Sequence, residues 1–162
     1  MLAEWLSWLE ASGLGRAVRG AGVWSYAIVN LVHIVGVATL FGSVLLLDLK
    51  LLGLFRRTPL SVVSVPTTTL AAAGFALAAL SGLCLLSTNG SEYINNPFLL
   101  IKFGAIGVGL ANVLLLHRTR AWKEKGNDTF TRGQARQLAF SGGVSLFAWT
   151  TAVTAGRMLG YW

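Results

Sequence analysis

Two histidines, His33 and His117, are the only imidazoles in this chain of 162 residues, and both belong to long apolar segments. His33 lies inside the run 23–47, and His117 directly follows the run 98–116. An ionisable ring at membrane depth is costly and usually marks a site. Neutral imidazole is a good ligand for iron or copper, so both rings are candidate ligands of a haem iron.

The helical face around His33 carries further groups that could serve a site. At helical spacing, Tyr26, Asn30 and Gly36 share this face. Asn30 or Tyr26 is a candidate to orient the second ring nitrogen, as partners of metal-bound histidines do. The alternative is a structural His33, hydrogen-bonded to Asn112 or to a serine or threonine of another helix.

A haem held by both histidines of one chain conflicts with their depths. The first and third apolar runs are expected to run in the same direction, which places the two rings about 15–20 Å apart along the membrane normal. The sequence therefore predicts that an iron bound to His33 takes its second ligand from a symmetry-related His33 or from a weaker ligand, or that its sixth position is open. For His117 the alternative is a ring that faces the lipid headgroups beside Arg118.

Other polar residues near the runs suggest local roles. Asp48 and Lys50 are expected to pair at the membrane interface, and Lys102 to extend its amine outward. Asn112 is a candidate partner for His33 or for a quinone carbonyl. Cys84 and Met158 are both expected toward the outer side, which leaves a copper(I) site open as a third hypothesis.

Composition narrows the class of protein. Hydrophobic residues make up 54% of the chain and charged residues only 12%, against about 25% charged in soluble domains. The net charge of +7 comes from short basic stretches between apolar runs, which favours lipid contact over nucleic-acid binding. We find no Ser/His/Asp set, zinc spacing or phosphate-binding glycine loop, so a hydrolase or NTPase is not expected.

The elements that must position these residues are four membrane helices. The apolar segments 23–47, 66–86, 97–116 and 138–159 each approach the roughly 20 residues that a helix needs to span the hydrocarbon. Asn96 and Pro97 form a helix start. In residues 1–19, Leu2, Leu6 and Leu9 repeat at helical spacing, which predicts an amphipathic helix on the membrane surface.

Loop charges predict the orientation in the membrane, and small residues predict where helices pack closely. The segments after the first and third runs are rich in lysine and arginine, so both are expected in the cytoplasm, with both termini outside. Gly74, Ala78 and Gly82 recur every fourth residue and predict close helix contacts. The alternative use of such glycines is room for a flat cofactor.

One resemblance adds to this interpretation. The stretch LVHIVGVATLFGSVLLLDLKLLG at 31–53, together with residues 96–102 and 112–117, resembles small bacterial four-span membrane proteins and, loosely, the copper-resistance D and cytochrome b561 membrane domains. The resemblance implies an inner-membrane bundle that holds b-type haem and transfers electrons, with His33 and His117 as candidate axial ligands. The b561 pattern uses two histidine pairs at matched depths, whereas this chain has two histidines in all.

We therefore predict a single all-α domain, an antiparallel transmembrane four-helix bundle with an N-terminal interfacial helix. The leading functional hypothesis is a haem b protein of the bacterial inner membrane that passes electrons between a quinol pool and an outer-side partner, alone, as a homo-oligomer or within a larger redox complex. A non-catalytic accessory or scaffold subunit and a copper-handling protein are the alternatives.

Overall fold

The computed structural model describes residues 2–20, 22–55, 57–88, 90–126 and 129–161, and this part of the chain is mostly helical and has no strand. Four helices within these ranges are long and apolar enough to cross a membrane. They are α3 (Val23–Leu51), α4 (Leu60–Leu86), α5 (Pro97–Arg118) and α7 (Arg132–Met158). The remaining α-helices are α1 (Leu2–Ala11), α2 (Gly13–Gly20) and α6 (Arg120–Lys123), and a 3-10 turn covers Gly90–Tyr93. The predicted all-α four-helix bundle is confirmed.

Helix α4 begins earlier than the sequence suggested, because Pro66 lies inside the helix rather than before it. Proline removes one backbone donor and disturbs the preceding turn. The hydroxyls of Thr67, Thr68 and Thr69 donate to carbonyls four residues earlier, at 2.7 to 2.9 Å. Hydroxyl groups of this kind satisfy backbone carbonyls near a proline within a membrane helix.

The starts of α5 and α7 depend on side-chain caps. The Asn96 side chain accepts a hydrogen bond from the Phe98 N–H at 2.9 Å, which confirms the predicted Asn-Pro start. Helix α7 begins at Arg132, well before the predicted position 138, because Thr131 and Gln134 form a reciprocal capping box. Such a box satisfies two otherwise free N–H groups and stabilises the polar first turns.

Two glycines set the closest contact in the bundle, between α3 and α4. A Cβ placed on Gly74 would lie 2.5 Å from the Leu40 nitrogen, and one on Gly36 would lie 2.7 Å from the Ala78 nitrogen. The two backbones therefore touch directly, which is the packing use that small residues have in membranes. Helix α7 packs against both α3 and α5, so it joins the two halves of the bundle.

The N-terminal segment forms two helices rather than the single predicted one. Leu6 and Leu9 of α1 are buried against Leu86 and Leu99, at the α4–α5 connection. From α2, the Arg19 guanidinium donates to the carbonyls of Ser87 and Thr88, and to that of Glu10. The segment thus covers one end of the bundle, which we call the α1 end.

The opposite end, which we call the α6 end, is closed by a small apolar cluster. Trp122 of α6 is buried with Leu51, Leu60, Leu116 and Leu138. The cluster draws on α3, α4, α5 and α7, so both basic connecting segments lie at this one end. That arrangement matches the predicted antiparallel order of the four helices.

Candidate functional site

His33 lies on α3, toward the α1 end, with its half-buried ring against α4. Its Nδ1 lies 2.9 Å from the Ala78 carbonyl oxygen and 3.1 Å from the Ser81 hydroxyl. The Ser81 hydroxyl itself donates to the Leu77 carbonyl. The ring is therefore held in place by the backbone and one hydroxyl of the neighbouring helix.

These contacts determine the tautomer of the His33 ring. A carbonyl oxygen accepts but cannot donate, and the Ser81 proton is engaged with Leu77, so Nδ1 must carry the hydrogen. Nε2 of a neutral ring then has a free lone pair, and it makes no hydrogen bond within the described residues. A metal-binding histidine is typically oriented in this way, through an N–H bond to a backbone carbonyl.

A glycine makes room for this ring, and one cation lies toward the same end of the bundle. A Cβ on Gly82 would lie 3.0 Å from His33 Cε1, so the glycine makes room for the imidazole. Lys102 lies on α5, five residues after the helix start at Pro97 and thus toward the same end of the bundle. The Lys102 ammonium also lies 3.5 Å from the Cβ position of Gly156. The contacts of the His33 ring are thus with α4, whereas Lys102 lies beside α7.

His117 is not part of this site. It is exposed on α5, its Nδ1 donates to the Val113 carbonyl at 2.8 Å, and its ring packs edge-on against Trp122. At about 1.5 Å per residue, the stretch of α5 from Lys102 to His117 is about 22 Å long. The structure places the two histidines near opposite ends of the bundle, so they cannot share one iron within a chain.

Tyr26, Asn30 and Gly36 do not have the positions that their expected roles require. Asn30 and Tyr26 are exposed, and the Ala78 carbonyl and Ser81, rather than either of them, orient the His33 ring. Gly36 offers no space for a cofactor, because the α4 backbone occupies it.

Asn112 also differs from the prediction, because its partner is Ser141 and not His33. Its amide donates to the Ser141 carbonyl and its oxygen accepts from the Ser141 hydroxyl, both at 3.0 Å. Asn112 thus joins α5 to α7. These bonds use the side-chain oxygen and one of the two amide N–H groups, so a role of the second N–H toward a quinone carbonyl stays a prediction.

Asp48 is the residue whose importance the sequence interpretation missed. It does not pair with Lys50, whose ammonium donates to the Phe55 carbonyl at 3.0 Å. Asp48 is only 2% exposed and accepts a hydrogen bond from Ser145 of α7. The available signal was its helical spacing from Val44 and Leu51, which places it on the buried face of α3.

The copper hypothesis gains no support from the arrangement of its residues. Cys84 is half-buried on α4, and Met158 is 38% exposed at the end of α7. The described residues contain no group of three or more His, Cys, Asp or Glu side chains that could hold a metal ion. A haem iron needs only one or two protein ligands, so His33 remains a candidate. No family model, curated protein or solved structure matches this chain.

Proposed function

We propose that this protein is a membrane-embedded b-type haem protein that passes electrons between a quinol pool and a redox partner, with His33 Nε2 as an axial ligand. The observation that carries the proposal is the Nδ1–H bond to the Ala78 carbonyl. This bond leaves the lone pair of Nε2 available and makes the ring a better donor to a metal.

The chemistry of the groups near His33 supports a haem site. Haem would supply one-electron redox chemistry, and its potential would depend on the axial ligand and on burial. Lys102 is our candidate cation for a haem propionate, because it lies near the start of α5, toward the same end of the bundle as His33. Since His117 is remote, any second protein ligand to a haem held by His33 would come from another residue, such as His33 of a second copy, or would be absent.

An absorption spectrum of the detergent-solubilised protein tests the proposal directly. We expect a Soret band and, after reduction, an α-band. His33→Ala should abolish both, because the variant lacks the axial nitrogen. His117→Ala is the matched control and should keep the spectrum, since His117 is exposed and contacts Trp122 at the other end. A colourless protein after expression with added haem, or loss of colour with His117→Ala alone, would contradict the assignment.

Gly82→Leu should reduce haem content without unfolding the bundle. The new side chain would enter the space of the His33 ring, since even a Cβ would lie 3.0 Å from Cε1. We expect a loss of most bound haem per protein, measured by the pyridine haemochrome assay alongside the helical circular dichroism signal. Gly107→Leu, on an open face of α5, should retain haem. Equal haem content in the two variants would argue against an axial role for His33.

An accessory or scaffold subunit is the second candidate, and one observation favours it. The His33 bonds to Ala78 and Ser81 join α3 to α4, which is what a purely structural histidine would do. In that case His33→Ala would lower stability, and the wild-type protein would bind no haem. The same two measurements therefore distinguish the two functions.

A further inference from the structure

A second buried polar group lies toward the α6 end, remote from His33. Asp48 of α3 faces α7, where Ser145 donates a hydrogen bond to its carboxyl group. A Cβ on Gly142 would lie 3.0 Å from both the Asp48 carbonyl oxygen and Leu51 Cβ. The α3 and α7 backbones are therefore close here, and the carboxyl is enclosed between them.

One oxygen of this carboxyl group has no partner. Asp48 Oδ2 is fully buried and makes no hydrogen bond to any residue in the described part of the chain. An isolated buried carboxylate is strongly unfavourable, and such a group takes up a proton instead of remaining charged. The negative charge of the Asp48 carboxylate must therefore be neutralised by a nearby cation or by a proton.

Among the described residues, no ion pair joins a lysine or arginine to Asp48, and Arg57 at this end is exposed. The neighbouring Lys50 ammonium bonds the Phe55 carbonyl, and α4 contains no acidic or basic residue. On α7 and α5, Arg136 and His117 are exposed. Ser145 is a neutral donor. A metal ion would need several oxygen ligands, and the described residues supply no cluster of acidic or histidine side chains around Asp48.

The surroundings of Asp48 on α7 are polar over several turns. Ser141, Ser145 and Trp149 follow one another at four-residue intervals, and all three are buried. The Trp149 indole N–H also has no partner within the described residues. Trp149 packs with Val44, one turn before Asp48 on α3. Asp48 Oδ2 and Trp149 Nε1 therefore both lie where α3 meets α7, and neither has a partner in the described part of the chain.

A route from the α6 end comes within one turn of the carboxyl group. A cleft of about 340 Å³ opens there, lined by Lys50, Leu51, Leu60 and Leu138 among others. Leu51 also contacts the position of Gly142, beside Asp48. The cleft therefore reaches Leu51, which lies one helical turn from Asp48 on α3.

We propose that Asp48 is a proton-binding site, a neutral carboxylic acid at neutral pH that exchanges its proton with water at the α6 end. The carboxylate takes up one proton from water on that side and becomes the neutral acid, and the reverse step returns it. Ser145 donates to one oxygen, and the acid O–H lies on the other. The site is independent of haem and goes beyond the proposed electron transfer.

Infrared difference spectroscopy of the purified full-length protein tests this site. We expect a carbonyl stretching band of a protonated carboxylic acid at neutral pH, its shift on transfer to D₂O, and its loss in a single step as the pH is raised. Asp48→Asn should remove the band. Ser145→Ala should shift it to higher frequency, because a hydrogen bond to the carbonyl is lost.

Glu124→Gln is the matched control, because Glu124 is a carboxylate paired with Arg120 at 2.7 Å near the surface. Its substitution should leave the band unchanged. No acid band in the wild-type protein, or a band that persists in Asp48→Asn, would overturn the proposal. A band that neither exchanges in D₂O nor responds to pH would also overturn it. If Asp48→Asn does not fold, the shift in Ser145→Ala still decides the assignment.

Discussion

Trp149→Ala is expected to destabilise the bundle more than any other single side-chain truncation considered for this protein. Trp149 is 4% exposed and lies where the helices meet. It packs with Leu40 and Val44 of α3, contacts Phe75 of α4 edge-on at 6.2 Å, and covers Gly109 of α5. Truncation of a buried tryptophan costs about 3–5 kcal/mol, much of it from the cavity left behind.

The measurement is the free energy of unfolding in mixed micelles with increasing denaturing detergent. Trp149→Phe should cost much less, because it keeps a six-membered aromatic ring and removes an N–H that has no partner among the described residues. Trp24→Ala is the exposed control, since Trp24 is 82% exposed, and should change stability by no more than about 0.5 kcal/mol. Equal losses at positions 149 and 24 would show that Trp149 is not the central contact.

Gly74→Leu is expected to separate α3 from α4. A Cβ at this position would lie 2.5 Å from the Leu40 nitrogen and 2.9 Å from the Gly36 carbonyl oxygen. These neighbours are backbone atoms, so no side-chain rotation can relieve the overlap. Overpacking typically costs about 1–3 kcal/mol, and we expect at least the upper end of that range. The His33 bond to Ala78, one turn further along α4, should weaken as well.

Side chains of increasing size at position 74 should lower the stability step by step. Gly74→Ala should already be destabilising, and Gly74→Leu more so, in the same unfolding assay. Gly42→Leu is the matched control, because Gly42 lies on α3 with no atom near its Cβ position. It should be neutral or slightly stabilising, since glycine is a poor helix former. Tolerance of leucine at position 74 would contradict the observed backbone contact.

The two interfaces tested by these variants also hold the two proposed sites. His33 depends on the α3–α4 contact, because Ala78 and Ser81 of α4 orient its ring. Asp48 depends on the α3–α7 contact, through Ser145 and Gly142. We therefore expect Gly74→Leu to affect haem binding and to leave the Asp48 infrared band in place, provided that α3 and α7 remain packed.

Helix boundaries show where sequence patterns were sufficient and where they were not. The Asn96–Pro97 start was predictable, because capping is a local interaction between neighbours in sequence. The early start of α7 at Arg132 was missed, although Thr131 and Gln134 provide the local capping signal. Pro66 suggests a boundary by sequence, whereas α4 continues through it from Leu60.

By itself, the sequence determined the all-α class and the four membrane helices, because a lipid environment requires long apolar segments whose backbone bonds itself. It also identified His33 as a candidate ligand from its type and depth. Only the tertiary structure decided which partners each polar side chain has: the Ala78 carbonyl for His33, Ser141 for Asn112 and Ser145 for Asp48. The rotation and crossing angle of each helix depend on contacts between segments that are far apart in the chain. The residue pattern within one helix does not determine these contacts.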